Sequence, residues 1–341
     1  MLKARMKYGA VSAKVHAMYG KRITEEEWHR LSECSSVTEV LSVLKSQSGW
    51  GAYTSELTQR MGDEQIKGAV RAKQYVDLEK LLRFCSLEDK ELLGLFLTKT
   101  EYGFILAALR CLASGEPVKM PIGTTEFIKS RSRVDISALE SAVDYSDLIA
   151  AARGSAYENV LAELTPSAQN SLPNYGETAA ALERCCYKSI FTNISKGYSG
   201  MGKNELSRLL GTQADLLNIV GILRLLRSFP GSLQSAQELL VPLGSRLKPA
   251  LVSQLLSAKS ESEAVELLKQ SPFALYFDDY KPEKLDGLYE SAMSSFCKGI
   301  LRLPAPNICV PVAYLILSEL ECDRLARVLE TVSYGIKPSD I

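Results

Sequence analysis

The chain repeats itself three times, and that repetition limits the folds open to it more than any other feature. One segment reads LSECSSVTEVLSVLKSQSGW from Leu31, LESAVDYSDLIAAARGSAYE from Leu139 and LLSAKSESEAVELLKQSPFA from Leu255. A second reads LLGLFLTKTEYGFILAALR from Leu92, LSRLLGTQADLLNIVGILR from Leu206 and VAYLILSELECDRLARVLE from Val312. In register, Leu95, Leu209 and Leu315 share a column, as do Thr98, Thr212 and Ser318, and Leu109, Leu223 and Leu329. The order is the same each time and the copies lie roughly a hundred residues apart, which points to three similar units rather than one catalytic domain with insertions. We divide the chain accordingly into helical repeats at 1–115, 116–231 and 232–341, each long enough to bury a core.

The apolar spacing is helical throughout, and no useful length alternates with the period of a sheet, so the expected fold is all-α. Thr24-Glu25-Glu26-Glu27 carries the signature of a helix start, with Thr24 as cap and Glu27 closing the capping box. Ser36-Val37-Thr38-Glu39, Tyr145-Ser146-Asp147 and Ser260-Glu261-Ser262-Glu263 occupy one place in the three copies and read as breaks capped by Ser. Each first segment ends near a ring, Trp50, Tyr157 or Phe273, expected to plug a neighbouring helix pair. The second segments run into SGEP at Ser114, SFPGS at Ser228 and SYGIKP at Ser333, where Gly and Pro stop helices. Pro121-Ile122-Gly123 and Pro242-Leu243-Gly244 follow the first two of these stops.

One column has chemistry in it. Glu101, Asp215 and Glu321 align, and each lies on or beside an apolar stripe such as Thr98, Ile105, Ala108 and Leu112. Carboxylates are seldom buried unless paired, because removing the charge from water costs more than burial returns. They could be offered to a partner or an ion. Recurrence in three copies favours a structural column instead, each acid bonded to a neighbouring helix start or to an Arg, since catalysis rarely needs the same acid in three places.

Lys plus Arg and Asp plus Glu both total 40, and no basic run could grip a phosphate backbone, so nucleic acid is not an expected partner. The eight cysteines form no CxxC pair, which argues against a disulfide framework or zinc site and for a reducing cytosol. No apolar stretch reads as a membrane span. Two histidines, His16 and His29, have neither ligand spacing nor a nucleophile beside them, so no catalytic, metal or cofactor site is expected. Gly197-Tyr198-Ser199-Gly200-Met201-Gly202-Lys203-Asn204 comes within one residue of a phosphate-binding loop, with Asn204 where the motif needs a hydroxyl for magnesium. Leu275-Tyr276-Phe277-Asp278-Asp279 imitates the acidic strand end that would accompany it. The Cys185–Ile194 stretch before the glycines reads as helix, whereas the motif requires a buried strand, which leaves nucleotide binding a minor alternative.

Tyr8 to Gly20 with the TEEEWHRL start, Asp215-Leu216-Leu217-Asn218-Ile219 with Leu223-Arg224, and the closing run from Tyr314 through Glu321 to Gly335-Ile336-Lys337-Pro338 resemble the C-type subunit of bacterial and archaeal V/A-type ATPases, whose eukaryotic counterpart is the d-type subunit. The resemblance extends over essentially the whole chain. It departs at Arg324, where that family usually has Asn; the middle copy keeps Asn218, and Phe104 fills the place in the first. The resemblance implies three helical units around a pseudo-threefold axis, forming a funnel or socket on the cytoplasmic face of the membrane. It implies a non-catalytic rotor component that joins the central stalk (D/F type subunits) to the membrane rotor ring and passes torque during proton or sodium transport or ATP synthesis. Loops at Gly49–Tyr53, Pro166–Gly176 and Pro230–Gly244 are candidates for its contact surfaces. An unrelated all-helical repeat scaffold would share the repeats without those partners.

Overall fold

The computed structural model describes residues 2–47, 49–55, 57, 63–120, 126–167, 171–228, 239–242, 244 and 246–338. Among them the regular structure is helical and no strand forms, so the chain is all-α. The first repeat holds α1 (Leu2–Tyr19), the short helices α2 (Glu25–Ser32), α3 (Val37–Ser46) and α4 (Gly51–Thr54), then α5 (Asp63–Leu82), α6 (Leu87–Gly94) and α7 (Phe96–Ser114). The second holds α8 (Glu126–Lys129), α9 (Ile136–Glu140), α10 (Tyr145–Ala151) and α11 (Glu158–Glu163), then the long α12 (Tyr175–Gly197) and α13 (Gly200–Ser228). The third holds α14 (Pro249–Ser257), α15 (Glu261–Lys269), 3-10 turns at Ala274–Tyr276 and Pro282–Lys284, then α16 (Leu285–Leu301) and α17 (Cys309–Ser333). Apart from α1, and with α6 and α7 counted together, each stretch sets a cluster of short helices ahead of two longer ones.

Local chemistry fixes where the short helices begin. Thr24 Oγ1 accepts from Glu27 N while the Glu27 carboxylate accepts from Thr24 N, a complete capping box. Ser36 and Ser260 cap α3 and α15 through the N–H groups of Glu39 and Glu263. In the middle copy the cap is Asp144, one residue ahead of the predicted break, and Tyr145 and Ser146 already lie inside the helix. Asp144 wins because its carboxylate accepts from Asp147 N while Asp147 reciprocates at Asp144 N, closing a second capping box. Gly115, at φ 69°, ends α7 as the SGEP signal predicts. The stops at 229–232 and Pro121–Gly123, and Leu243, lie outside the described residues.

The chain divides into two compact units. One comprises Met1–Leu93, Pro121–Arg131 and Cys297–Ile341, the other Gly94–Met120 and Ser132–Phe296. In the first, α17 lies along α5 with α1 and α3 against it. Its core joins Trp28, Leu31, Leu44, Trp50, Ile66 and Val70 to Cys322, Leu325 and Leu329, so it is built from both ends of the sequence. In the second unit α7 packs on α9, α10 and α12, and α13 packs on α15. Side chains also tie α13 to α16: Gln213 Nε2 donates to Tyr289 Oη at 2.8 Å, and Arg224 reaches Asp286 at 2.9 Å. Packing is therefore offset from the sequence period by one step. The last long helix of each repeat takes as partners the short helices and first long helix of the next, and α17 of the third repeat takes those of the first.

Two helical stretches, 87–114 and 200–228, have the length and mean hydropathy (1.4) of a membrane span, contrary to the sequence reading that none approaches it. Their apolar windows are 56% and 78% buried within the protein, which is how core helices pass the same test.

Glycine permits a close approach where the second and third repeats meet. A Cβ on Gly244 would stand 2.1 Å from the Gly211 carbonyl oxygen of α13 and 2.7 Å from Asp215 Oδ1. Backbone sits on both sides of that contact, so it cannot relax cheaply. Gly244→Ala is expected to lower stability by about 1–3 kcal/mol, the usual cost of overpacking, measurable as a lowered urea midpoint.

Candidate functional site

The three aligned acids lie at equivalent joints. Glu101 sits on α7, Asp215 on α13 and Glu321 on α17, and all are buried, at 4%, 0% and 4% exposure. Each carboxylate accepts from backbone N–H groups of the segment that leads into the next repeat's short helices. Glu101 Oε1 accepts from Arg133 N at 2.6 Å, just ahead of α9. Asp215 takes three such bonds just ahead of α14: Gly244 N at 2.7 Å on Oδ1, with Arg246 N and Leu247 N at 3.0 Å on Oδ2. Glu321 Oε2 accepts from Ile23 N at 3.3 Å, just ahead of α2. The succession is cyclic: first copy to second, second to third, third back to first.

The physical reason for acids in these places is the lead-in backbone. These segments are not helical and only partly buried, Ile23, Val134 and Leu247 being the enclosed residues, so their N–H groups have no helical carbonyl four residues back to bond. A carboxylate accepts several donors at once, and bonds to an ionised acceptor are about twice as strong as neutral ones.

The rings seen in the sequence complete the joints. Trp50 Nε1 donates to Glu321 Oε1 at 3.1 Å, and Tyr157 Oη donates to the Thr98 carbonyl at 2.7 Å, one turn before Glu101. Phe273 is fully buried under the Arg246 guanidinium, 5.1 Å away, and that guanidinium also donates to the Pro272 carbonyl. Within the Gly49–Tyr53 segment Trp50 is fully buried and Gly51–Tyr53 belong to α4 rather than a loop, while Ala52 is exposed. Gly49 touches the Lys21 carbonyl so closely that a Cβ there would fall 2.1 Å from it. Residues 168–170, 230–238 and 243 of the other two candidate loops lie outside the described residues.

The third joint differs in adding a cation. Arg22 Nε stands 2.9 Å from Glu321 Oε2, and Arg22 Nη2 donates to the Leu317 carbonyl at 2.9 Å. Beside it runs a second buried polar set that sequence reading missed. Asp77 accepts from Tyr314 Oη at 2.9 Å, pairs with Lys73 Nζ at 2.8 Å, and lies 3.4 Å from Ser318 Oγ. Lys73 Nζ lies 4.8 Å over the Trp50 ring, linking the two sets. The i, i+4 spacing of Lys73 and Asp77 was readable, but nothing in the sequence says that this pair faces α17.

The column three residues on has diverged with its surroundings. Asn218 exchanges two 3.0 Å bonds with the backbone of Val241, Arg324 lies 4.1 Å over the Trp28 ring, and Phe104 is buried core.

The glycine-rich stretch forms a turn between helices. Gly197 is the last residue of α12 and Gly200, at φ 56°, the first of α13, with no strand before them. Lys203 Nζ is 3.2 Å from Ser195 Oγ, spanning that turn. Leu275 and Tyr276 belong to a 3-10 turn and Phe277 is fully buried, so the acidic stretch is not a strand end either. Among the described residues no cluster of three or more His, Cys, Asp or Glu could hold a metal ion.

An all-helical protein with three sequence repeats, joined cyclically through buried acids, is the class these observations define. Residues 11–341 match the family model described as ATP synthase (C/AC39) subunit, and the chain belongs to that family. No curated protein matches the chain.

Burial holds the Glu101 and Asp215 carboxyls above the ordinary carboxylate range, although their backbone donors pull the other way. The sign follows from linkage. A carboxyl whose folded pKa is raised contributes its full stability below the unfolded value, about 4, and loses it as pH rises through the folded one. The urea-midpoint advantage of the native protein over Glu101→Gln is therefore expected to be larger at pH 4 than at pH 7. At Asp215 an amide keeps the two bonds on one oxygen and sets its NH2 against the third donor. Asp215→Asn should cost about 1–3 kcal/mol at pH 7, the penalty of one unsatisfied buried group, in the same titration.

Proposed function

We propose that this protein is a non-catalytic rotor component of a V/A-type ATPase, coupling the central stalk to the membrane ion-translocating ring and transmitting torque between them. The observation that carries the reading is the family match over residues 11–341. The joints support it physically. A torque coupler must not deform under load, and close-packed interiors are barely compressible. Here each repeat is pinned to the next by a buried, hydrogen-bonded carboxylate, which resists slippage between repeats. In this reading Glu101, Asp215 and Glu321 are structural, the repeats 1–115, 116–231 and 232–341 surround a pseudo-threefold axis as a socket, and no cofactor is required.

The partners in this reading are D/F type stalk subunits and the rotor ring, reached from the cytoplasmic face without crossing the membrane. Apolar side chains are exposed at corresponding helix junctions in all three copies: Phe84 after α5 with Leu87 opening α6, Met201 at the start of α13, and Leu303 after α16. Exposed Leu and Met are unremarkable singly. Their recurrence at one topological position makes each of these junctions, taken by itself, our candidate for a partner contact.

Affinity capture of the protein from detergent-solubilised membranes of the source cells, with mass-spectrometric identification of partners, tests the reading. Ring and central-stalk subunits are expected in the eluate, and Leu87→Asp combined with Met201→Asp should reduce recovery of one of them. Recovery of the bait alone, from cells that contain the ATPase, would favour an all-helical scaffold of other purpose.

A further inference from the structure

The three joints share a buried acid facing backbone donors but differ in connectivity. In the first two, the acid and its donors lie on one continuous stretch of chain, 32 residues apart at Glu101 and 29 to 32 apart at Asp215. At the third, Glu321 lies 298 residues from Ile23 and 271 from Trp50. By chain length alone, bringing the ends together over 298 residues instead of 32 is disfavoured about thirtyfold in an unfolded chain. This joint is held by the packing of α17 on α5, α1 and α3 around a shared apolar core, and by polar contacts that include the Arg22–Glu321 ion pair, the Trp50 indole on the same carboxylate, the Arg324 guanidinium over Trp28, and Asp77 bonded to Tyr314. This is also the joint at which the acid meets a guanidinium in addition to a backbone donor.

We propose that the joint between the third repeat and the first is a latch, the place where the molecule opens. The unit built from the two chain ends comes apart there, with α17 leaving α2–α5, while the unit comprising 94–120 and 132–296 stays folded. Regions of one protein commonly open separately, in cooperative units with their own free energies. Two features favour this unit. Its core is divided between chain segments that no short linker holds together, and its ion pair sits at the dividing line.

The protein carries its own probe, because its two tryptophans, Trp28 and Trp50, both lie in that core. Urea titration of the full chain is followed by tryptophan fluorescence, which reads the latch, and by far-ultraviolet circular dichroism, which reads all the helices. The fluorescence midpoint is expected at lower urea than the main dichroism transition. Glu321→Gln should move the fluorescence midpoint down, with the open population raised about tenfold or more, and leave the later step where it was. Asp215→Asn should move the later step and not the first. Arg22→Lys, which keeps the charge but loses the fork, should give a smaller shift of the fluorescence midpoint in the same direction. Coincident transitions in the native protein, a fluorescence midpoint above the dichroism midpoint, or equal movement of both probes by Glu321→Gln would overturn the proposal. The native titration alone decides the matter should a variant fail to fold.

Discussion

A carboxylate buried on a long helix, accepting N–H groups from the segment that leads into the next repeat, is the contact on which this architecture depends. Neither side is stable alone. The acid removed from water needs donors, and the lead-in backbone, lacking helical partners, needs an acceptor. Each satisfies the other, and the bond orients the short helices that follow. In two copies the aromatic ring closing the short-helix cluster lands on the same long helix, through Trp50 on Glu321 and Tyr157 on the Thr98 carbonyl, and in the third Phe273 lies under Arg246 of the lead-in segment. Polar bond and apolar plug act together, the first setting direction and the second adding apolar burial.

The same device is executed differently in each copy. Glu101 holds one backbone donor, Asp215 three, and Glu321 one with an arginine and an indole besides. The shorter Asp side chain goes with the closest approach, since Gly244 lies directly on Gly211 and leaves no room for another methylene. Position 218 and its counterparts have drifted further, from a backbone clamp at Asn218 to a cation over Trp28 at Arg324 and plain core at Phe104. What the three copies keep is the acid and its target.

Much of this was legible in the sequence for physical reasons. Helical periodicity and the three copies required an all-α fold, and Thr24, Ser36 and Ser260 marked helix starts because capping depends on local spacing. Burial of the acids could be read from their place on the apolar stripe. Their partners could not, because the donors are backbone groups of Ile23, Arg133, Gly244, Arg246 and Leu247, and a backbone N–H leaves no mark in a sequence. The one-repeat offset in packing was hidden for the same reason, since similar copies look alike whichever neighbour they touch. Composition misled in two places. Gly49–Tyr53 has the residues of a loop yet encloses a fully buried Trp50, and the windows at 87–114 and 200–228 reach membrane hydropathy because they are core helices.

Amide hydrogen exchange resolved to single residues tests the cyclic joint most directly. Ile23, Arg133, Gly244, Arg246 and Leu247 lie outside α-helices, and exposed loop amides exchange quickly. If the buried carboxylates hold these groups as described, all five exchange as slowly as the ends of the helices they precede, and each speeds up only when the acid facing it is replaced. Fast exchange at Arg133, Gly244, Arg246 and Leu247 in the native protein would contradict the account.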